Sequence, residues 1–262
     1  MSVRVAKSAG FCFGVSRAVE LVQQAAAAGK RTLTLGPIIH NRHVVEQFAA
    51  AGVRVIDSPE EAGPGDTVVI RSHGVSREVY KRLESTGAEI IDATCPFVKR
   101  IHGLVSQAEA EGRLPVIIGT PTHPEVEGIA GWCGDCRIFD SADALKKWVQ
   151  EEEIGADTPI CMVSQTTSTE SLWKLCRNFA KKQFTNLKIF DTICKATEDR
   201  QTEAASLSRE CQAMVVVGDA KSSNTGRLAM ICREYCDRVA LVDDASELEP
   251  AFFAGITDVG IT

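Results

Sequence analysis

Short, almost uninterrupted apolar runs recur along the chain: TLTL, TVVI, PVII, ICMV and MVVV. Each is followed by a glycine or a polar loop, and then by a stretch in which apolar residues return every three or four positions. An apolar run without alternation reads as a strand buried on both faces, and a spacing of three to four reads as an amphipathic helix. Strand and helix patterns alternate from end to end, so an α/β fold built on parallel sheets is predicted.

The pattern also repeats. Three segments share a layout of strand, Gly, polar loop, helix, second strand and Asp: TLTLGPIIHNRHVVEQFAAAGVRVID (Gly36 to Asp57), PVIIGTPTHPEVEGIAGWCGDCRIFD (Gly119 to Asp140) and MVVVGDAKSSNTGRLAMICREYCDRVALVD (Gly218 to Asp243). Between them lie two strand-loop-helix-strand units that close on Asp-x-x-Cys, at Asp92 to Cys95 and at Asp191 to Cys194. A basic residue follows each of these cysteines by a turn or more, Arg100 and Arg200, and GFCFGVSRAVELVQQAAAAGK repeats that arrangement with Cys12 and Arg17. The expectation is three small parallel-sheet α/β modules related by a pseudo-threefold axis, each delivering one cysteine at a strand-to-helix junction. Their ranges are 14–95, 96–191, and 192–262 joined by 1–13. No Pro/Gly/Ser-rich linker separates them, so they are expected to pack rather than swing.

Composition narrows the function. The 262 residues carry 29 Lys+Arg against 35 Asp+Glu, a net charge of −6. No block of like charge stands out, which disfavours a general polyanion-coating role such as non-specific nucleic-acid binding. With 44% hydrophobic and 24% charged residues the chain is globular in composition. No stretch approaches the roughly 18 apolar residues of a membrane span, and Lys7 and Gly10 interrupt the start before a secretory core could form. A cytoplasmic location without membrane is therefore predicted. Ten cysteines are many for a reducing compartment, so some are expected to hold metal or do chemistry.

In open α/β sheets ligands sit beyond the carboxyl ends of the strands, and here those loops are polar. In chain order they hold His40-Asn41, Ser72-His73-Gly74, Thr122-His123-Pro124-Glu125, Ser164-Gln165-Thr166-Thr167 and Ser222-Ser223-Asn224. Such side chains, with the N–H groups of a helix N-terminus, suit a phosphate or diphosphate. Each loop alone could merely cap its helix, but five together favour an anion nest. Neither a P-loop nor G-x-G-x-x-G is present, which disfavours a nucleoside triphosphate or dinucleotide. His43 and His102 read as ordinary structural histidines. Glu125 is a candidate proton donor.

Cys12, Cys95 and Cys194 stand at analogous module positions, and three thiolates converging on a pseudo-threefold axis suit an iron–sulfur centre or zinc. A rival pairing of Cys133-x-x-Cys136 with Cys232 and Cys236 as structural zinc ligands lacks a second loop-borne pair. Cys161, Cys176 and Cys211 read as small core residues.

These residues resemble one family throughout the chain. GFCFGV at Cys12, the His40-Asn41 pair, SHGV at His73, DATCPFV at Cys95, HPEVEG at His123 and Glu125, SQTT at Thr166, DTIC at Cys194 and SSNTGRL at Ser222 to Asn224 are similar, in the same order, to the motifs of the 4-hydroxy-3-methylbut-2-enyl diphosphate reductase (LytB) family. The resemblance implies three modules around a central [4Fe–4S] cluster held by Cys12, Cys95 and Cys194. It implies two-electron reductive dehydroxylation of an allylic diphosphate to isopentenyl and dimethylallyl diphosphates. It implies that His40, His73, Ser222, Ser223 and Asn224 hold the diphosphate, with His123 beside it, and that Glu125 with Thr166 and a water supplies protons. A small flavoprotein of flavodoxin type or a ferredoxin is the implied electron donor. The family has a GITAGAS-like stretch whose serine joins the diphosphate site, whereas this sequence reads Gly260-Ile261-Thr262 at its end, before that serine. A chain extended past Thr262 is expected to bind diphosphate more tightly; equal affinity would reject this.

Two other functions compete. A reaction of the quinolinate synthase kind combines three α/β modules and three cysteines with a carboxylate substrate, but the His-rich and Ser-Ser-Asn loops favour a diphosphate. A non-catalytic iron–sulfur carrier or sensor would assemble the cluster without consuming substrate.

Overall fold

The computed structural model describes residues 1–262. In chain order it begins with strand β1 (Ser2–Val5), helix α1 (Phe13–Ala27), β2 (Arg31–Leu35), α2 (Arg42–Ala50), β3 (Arg54–Ile56), β4 (Asp66–Ile70), α3 (Arg77–Ser85) and β5 (Glu89–Asp92). There follow α4 (Pro96–Ala110), β6 (Leu114–Ile118), α5 (Pro124–Ala130), β7 (Arg137–Phe139), α6 (Ala142–Glu151), β8 (Ile160–Ser164), α7 (Glu170–Gln183) and β9 (Leu187–Ile189). The chain ends with α8 (Lys195–Glu210), β10 (Ala213–Val217), α9 (Ser223–Tyr235), β11 (Val239–Val242) and β12 (Asp258–Ile261). The predicted α/β alternation is what forms.

Three four-stranded sheets result, with strand orders β3-β2-β4-β5, β7-β6-β8-β9 and β1-β12-β10-β11. Every pairing is parallel. In the first two sheets the order is second, first, third, fourth along the chain. Read from its other edge, the third sheet is β11-β10-β12-β1, so the N-terminal strand fills the fourth place that β5 and β9 fill in the others. The register Ser2↔Asp258 to Val5↔Ile261 fixes β1 there.

Both faces of the sheets are covered, as the continuous apolar runs require. Leu33, Leu35, Val68 and Ile70 pack on one side with Leu83 of α3, while Val69 faces the opposite side with Ala18 and Val22 of α1 and Phe48 of α2. Met214 and Val216 pack on Ala204 of α8 and Leu228 of α9, and Ala213 and Val215 on the other face meet Phe252 and Phe253. Helix starts carry their expected signals. Pro96 and Pro124 open α4 and α5, where a missing N–H costs nothing. Ser76, Ser141 and Thr169 cap α3, α6 and α7 through their hydroxyls.

The chain divides into two compact units: residues 1–12, 40–42 and 193–262 form one, and residues 13–39 and 43–192 form the other. The smaller unit contains the sheet with β1. The larger contains the other two sheets, tied together where Trp132 Nε1 donates to the Val75 carbonyl at 2.9 Å and Arg77 N–H to the Gly131 carbonyl at 3.2 Å. Gly131 admits no side chain here, because a Cβ would stand 2.1 Å from that of Ser76. No helix is long and apolar enough to cross a membrane.

Candidate active site

Within the larger unit the predicted residues lie on the loops after β4, β5, β6 and β8. Glu125, in the first turn of α5, is 3% exposed. Both its oxygens are occupied by one residue: Thr166 N–H donates to Oε1 at 2.6 Å and Thr166 Oγ1 to Oε2 at 2.8 Å. Thr166 is held in turn because Gln165 N–H donates to the Ile118 carbonyl at 2.8 Å and Thr120 N–H to Gln165 Oε1 at 3.1 Å. The Thr192 hydroxyl, donating to the Ser164 carbonyl at 2.6 Å and accepting Ser164 N–H at 2.7 Å, closes the base of that loop. Gly119 lets these loops meet, since a Cβ there would stand 2.8 Å from Gln165 Cβ and from Val126 Cγ2.

His123 caps α5: its Nδ1 accepts Glu125 N–H at 3.1 Å. Its ring meets that of His73 edge to face, with centroids 5.4 Å apart and planes at 79°. The His73 loop is fastened on both sides. Ser72 N–H and Oγ donate to the Ile38 carbonyl, each at 3.2 Å, and Cys95 N–H donates to the Ser72 carbonyl at 2.9 Å. Gly74 follows at φ +74, a left-handed conformation that only glycine adopts without strain. Its missing Cβ also makes room for His102, whose Cε1 would be 2.8 Å away. Thus Glu125, Thr166, His123 and His73 come together in one unit, and the Cys95 loop is bonded directly to the His73 loop.

Each candidate metal cysteine has the same address in the fold. Cys12 follows β1 and precedes α1, Cys95 follows β5 and precedes α4, and Cys194 follows β9 and precedes α8. These are the three fourth-position strands. Cys95 and Cys194 are backbone N-caps whose sulfurs do not cap their helices. All three are half-buried and lie outside disulfides. Thiols at strand ends are the donor type that an iron–sulfur cluster takes.

The loops that deliver the cysteines are clamped by residues whose pattern was visible in sequence but whose role was not. Arg17, on the helix after Cys12, donates to the carbonyls of Asp92 at 3.2 Å and Thr94 at 3.4 Å, on the loop leading to Cys95. Arg200, on the helix after Cys194, donates to the carbonyls of Ser8 at 3.0 Å and Gly10 at 2.9 Å, on the loop leading to Cys12. Glu203 on the same helix accepts Ser8 Oγ at 2.6 Å and the N–H groups of Lys7 and Ser8 at 2.7 and 2.8 Å. The Ser8 hydroxyl, foremost, holds the Glu203 carboxyl below the usual carboxylate range. The signal for both arginines was their place a turn or more after a cysteine; their partners lie at distant positions that no local pattern names.

In the smaller unit, Ser222, Ser223 and Asn224 stand at the start of α9. Ser222 Oγ accepts Thr225 N–H at 3.4 Å, so it does cap the helix, and Ser223 Oγ accepts Arg227 Nε at 3.3 Å. His40 lies in the 40–42 segment of this unit and is half-buried. Cys194 Sγ is 3.1 Å from Thr197 Oγ1. Cys161, Cys176 and Cys211 are buried, as expected of core residues. Cys232 and Cys236 are buried too, among Ala204, Met214 and Leu228, which leaves the zinc pairing no ligand-bearing loop.

A profile of the LytB protein family matches residues 3–262. The chain belongs to the LytB protein family. Its curated relatives include the 4-hydroxy-3-methylbut-2-enyl diphosphate reductase of Caldanaerobacter subterraneus subsp. tengcongensis, 40% identical over 100% of this chain and 91% of the relative. The reductase of the same name from Geobacter sulfurreducens is 38% identical over 100% of this chain and 91% of its own. Among solved structures, an (E)-4-hydroxy-3-methyl-but-2-enyl diphosphate reductase described as the terminal enzyme of the non-mevalonate pathway is 36% identical, with a TM-score of 0.70 over 100% of this chain and 93% of that one. The E-1-hydroxy-2-methyl-but-2-enyl-4-diphosphate reductase of Plasmodium falciparum shares the fold, with a TM-score of 0.93 over 99% of this chain and 82% of the other, at 24% identity. The LytB assignment thus spans all three sheets.

Proposed function

We propose that this chain is a metal-dependent oxidoreductase that converts 4-hydroxy-3-methylbut-2-enyl diphosphate to isopentenyl and dimethylallyl diphosphates. The reaction takes two electrons and two protons, breaks the allylic C–O bond and releases water. The observation that carries the reading is the buried Glu125 carboxyl clamped by Thr166, on a helix capped by His123 whose ring touches His73. Full-length likeness to reductases of that name supports the substrate.

Cys12, Cys95 and Cys194 would hold a [4Fe–4S] cluster, one thiol from the loop after the fourth-place strand of each sheet, in a chain of three modules with ranges 14–95, 96–191, and 192–262 plus 1–13. When bound, that cluster supplies electrons and an open iron for the substrate hydroxyl. The protein's own residues do the rest. His40, His73, Ser222, Ser223 and Asn224 bind the diphosphate, using ring N–H groups, hydroxyls, an amide and the N-terminus of α9. His123 serves beside that anion and near the Glu125 proton path. Glu125 delivers a proton to the leaving hydroxyl, through Thr166 Oγ1 or a water bound beside it, and thus completes the water that departs. Burial keeps bulk water from competing for that proton. The electron donor is a small ferredoxin or flavodoxin-type protein, and the reaction is placed in the cytoplasm.

Anaerobic purification with iron and sulfide counting, followed by assay with reduced viologen and the diphosphate, tests the reading. About four irons per chain and consumption of the substrate are expected. A loaded cluster without turnover would leave a carrier; turnover of a dicarboxylate in place of the diphosphate would assign a different reaction.

A further inference from the structure

The Cys133-Gly-Asp-Cys136 motif takes no part in the proposed reaction, yet it occupies a mechanically connected place. It lies in the turn between α5 and β7, within the larger unit, and both cysteines are half-buried thiols packed against one apolar cluster. Cys133 Sγ donates to the Ala130 carbonyl at 3.4 Å, and the Cys136 thiol is near enough to push the Cys133 pKa up. The turn is pinned where Glu109 accepts Gly134 N–H, and Arg137 donates to the Cys136 carbonyl at 3.2 Å.

The adjoining residue, Trp132, is the brace between the two sheets of the unit. Its Nε1 donates to the Val75 carbonyl, two residues beyond His73. Its ring stacks on His102 with centroids 5.1 Å apart, and the Arg77 guanidinium lies 5.4 Å above it. Its own carbonyl accepts Ser106 Oγ at 2.8 Å and Arg77 Nη2 at 3.2 Å. A movement of the turn therefore reaches the His73 loop through one indole.

We propose that Cys133 and Cys136 form a reversible dithiol–disulfide pair whose closure is transmitted through Trp132 to the loop carrying His73. Cys136 is the attacking thiol. The neighbouring Cys133 thiol, and secondarily the Arg137 guanidinium, draw its pKa below the ordinary thiol value, while Cys136 and burial push Cys133 up. The oxidant is a small-molecule disulfide such as oxidised glutathione. Cys136 thiolate attacks one sulfur of that disulfide, whose S–S bond breaks and releases a thiolate. Cys133, giving its proton to that thiolate, attacks the Cys136 sulfur, breaks the mixed disulfide and expels the second small molecule as a thiolate. The two cysteines lose two electrons and the small disulfide gains them. Bonded sulfurs stand about 2.0 Å apart, closer than any non-bonded contact, so closure tightens the turn.

The test uses the full chain, purified anaerobically and incubated with oxidised glutathione. Tryptic cleavage after Arg113 and Arg137 releases one peptide that contains Cys133 and Cys136 and no other cysteine. That peptide is expected to lose two hydrogens, resist alkylation and recover both thiols on reduction. Cys133→Ser is expected to trap glutathione on Cys136, and Cys136→Ser to leave Cys133 alkylatable. Wild-type cysteines that stay alkylatable, or that each carry glutathione without a link, would overturn the pair. Hydrogen exchange over residues 71–77 reads the coupling: several-fold faster exchange on closure is expected, with no change in Cys133→Ser treated alike. Identical exchange before and after closure would overturn the transmission.

Discussion

Thr166 binds both oxygens of Glu125, so the chemistry and the position of this carboxyl share those two hydrogen bonds. Replacing it by glutamine keeps the shape, removes the transferable proton and sets an NH2 group among the Thr166 donors. Glu125→Gln is expected to lower turnover by about 10²- to 10⁴-fold, the usual contribution of a positioned general acid, while the iron content stays at the wild-type level. An unchanged rate would remove Glu125 from the mechanism. Arg17 acts differently, because it touches only carbonyls of the Cys95 loop. A charged donor to a partly buried carbonyl is worth about 1.5–3 kcal/mol. Arg17→Ala is therefore expected to speed loss of iron to a chelator by roughly tenfold or more, read from the decay of visible absorbance, with near-normal far-ultraviolet dichroism.

Among the elements, α4 carries both a cysteine at its start and a buried titratable group in its middle. Desolvation presses the His102 pKa down to about 4, against a smaller opposing pull from Asp92. The unfolded chain binds this proton near pH 6.5 and the folded chain only near 4. Stability from this group is therefore intact above pH 6.5, declines as the pH falls through that window and levels off below it. The total loss is on the order of 3 kcal/mol. The urea midpoint of wild type is expected to drop across that range relative to His102→Gln; parallel midpoints for the two would refute the assignment. Strand β1 gives a second prediction at this scale. It fills the fourth place of its sheet and its successor loop is clamped by Arg200 and Glu203 on α8. Deleting residues 1–5 exposes β12 as an edge and frees the Cys12 loop, so iron binding is expected to fail even where the other two sheets keep their dichroism.

For the whole molecule, the ligand set is testable by metal removal. In the iron-loaded protein, Cys12, Cys95 and Cys194 are expected to resist alkylation, and to react once iron and sulfide are stripped. Reaction of any of the three in the loaded protein would remove it from the set. Much of this architecture is legible in the chain itself. The alternating apolar runs and the three Gly-to-Asp segments announce parallel α/β units, and the offset of a cysteine before each of three helices marks the metal candidates. The union of Glu125 with Thr166 is not legible, since the two stand on loops of different strands that only the β6·β8 pairing brings side by side. Nor is the service of Arg17, whose offset from Cys12 is plain while its partners at Asp92 and Thr94 are not.

Local chemistry alone determined the alternation of strands and helices in the repeated units and the set of polar loops, because each follows from spacing within a few residues. Tertiary structure decided which strand completes which sheet, that β1 pairs with β12, and which loop ends share a carboxylate. Those outcomes rest on parallel pairings between segments far apart in the chain, where backbone hydrogen bonds are indifferent to side-chain identity and packing selects the partner.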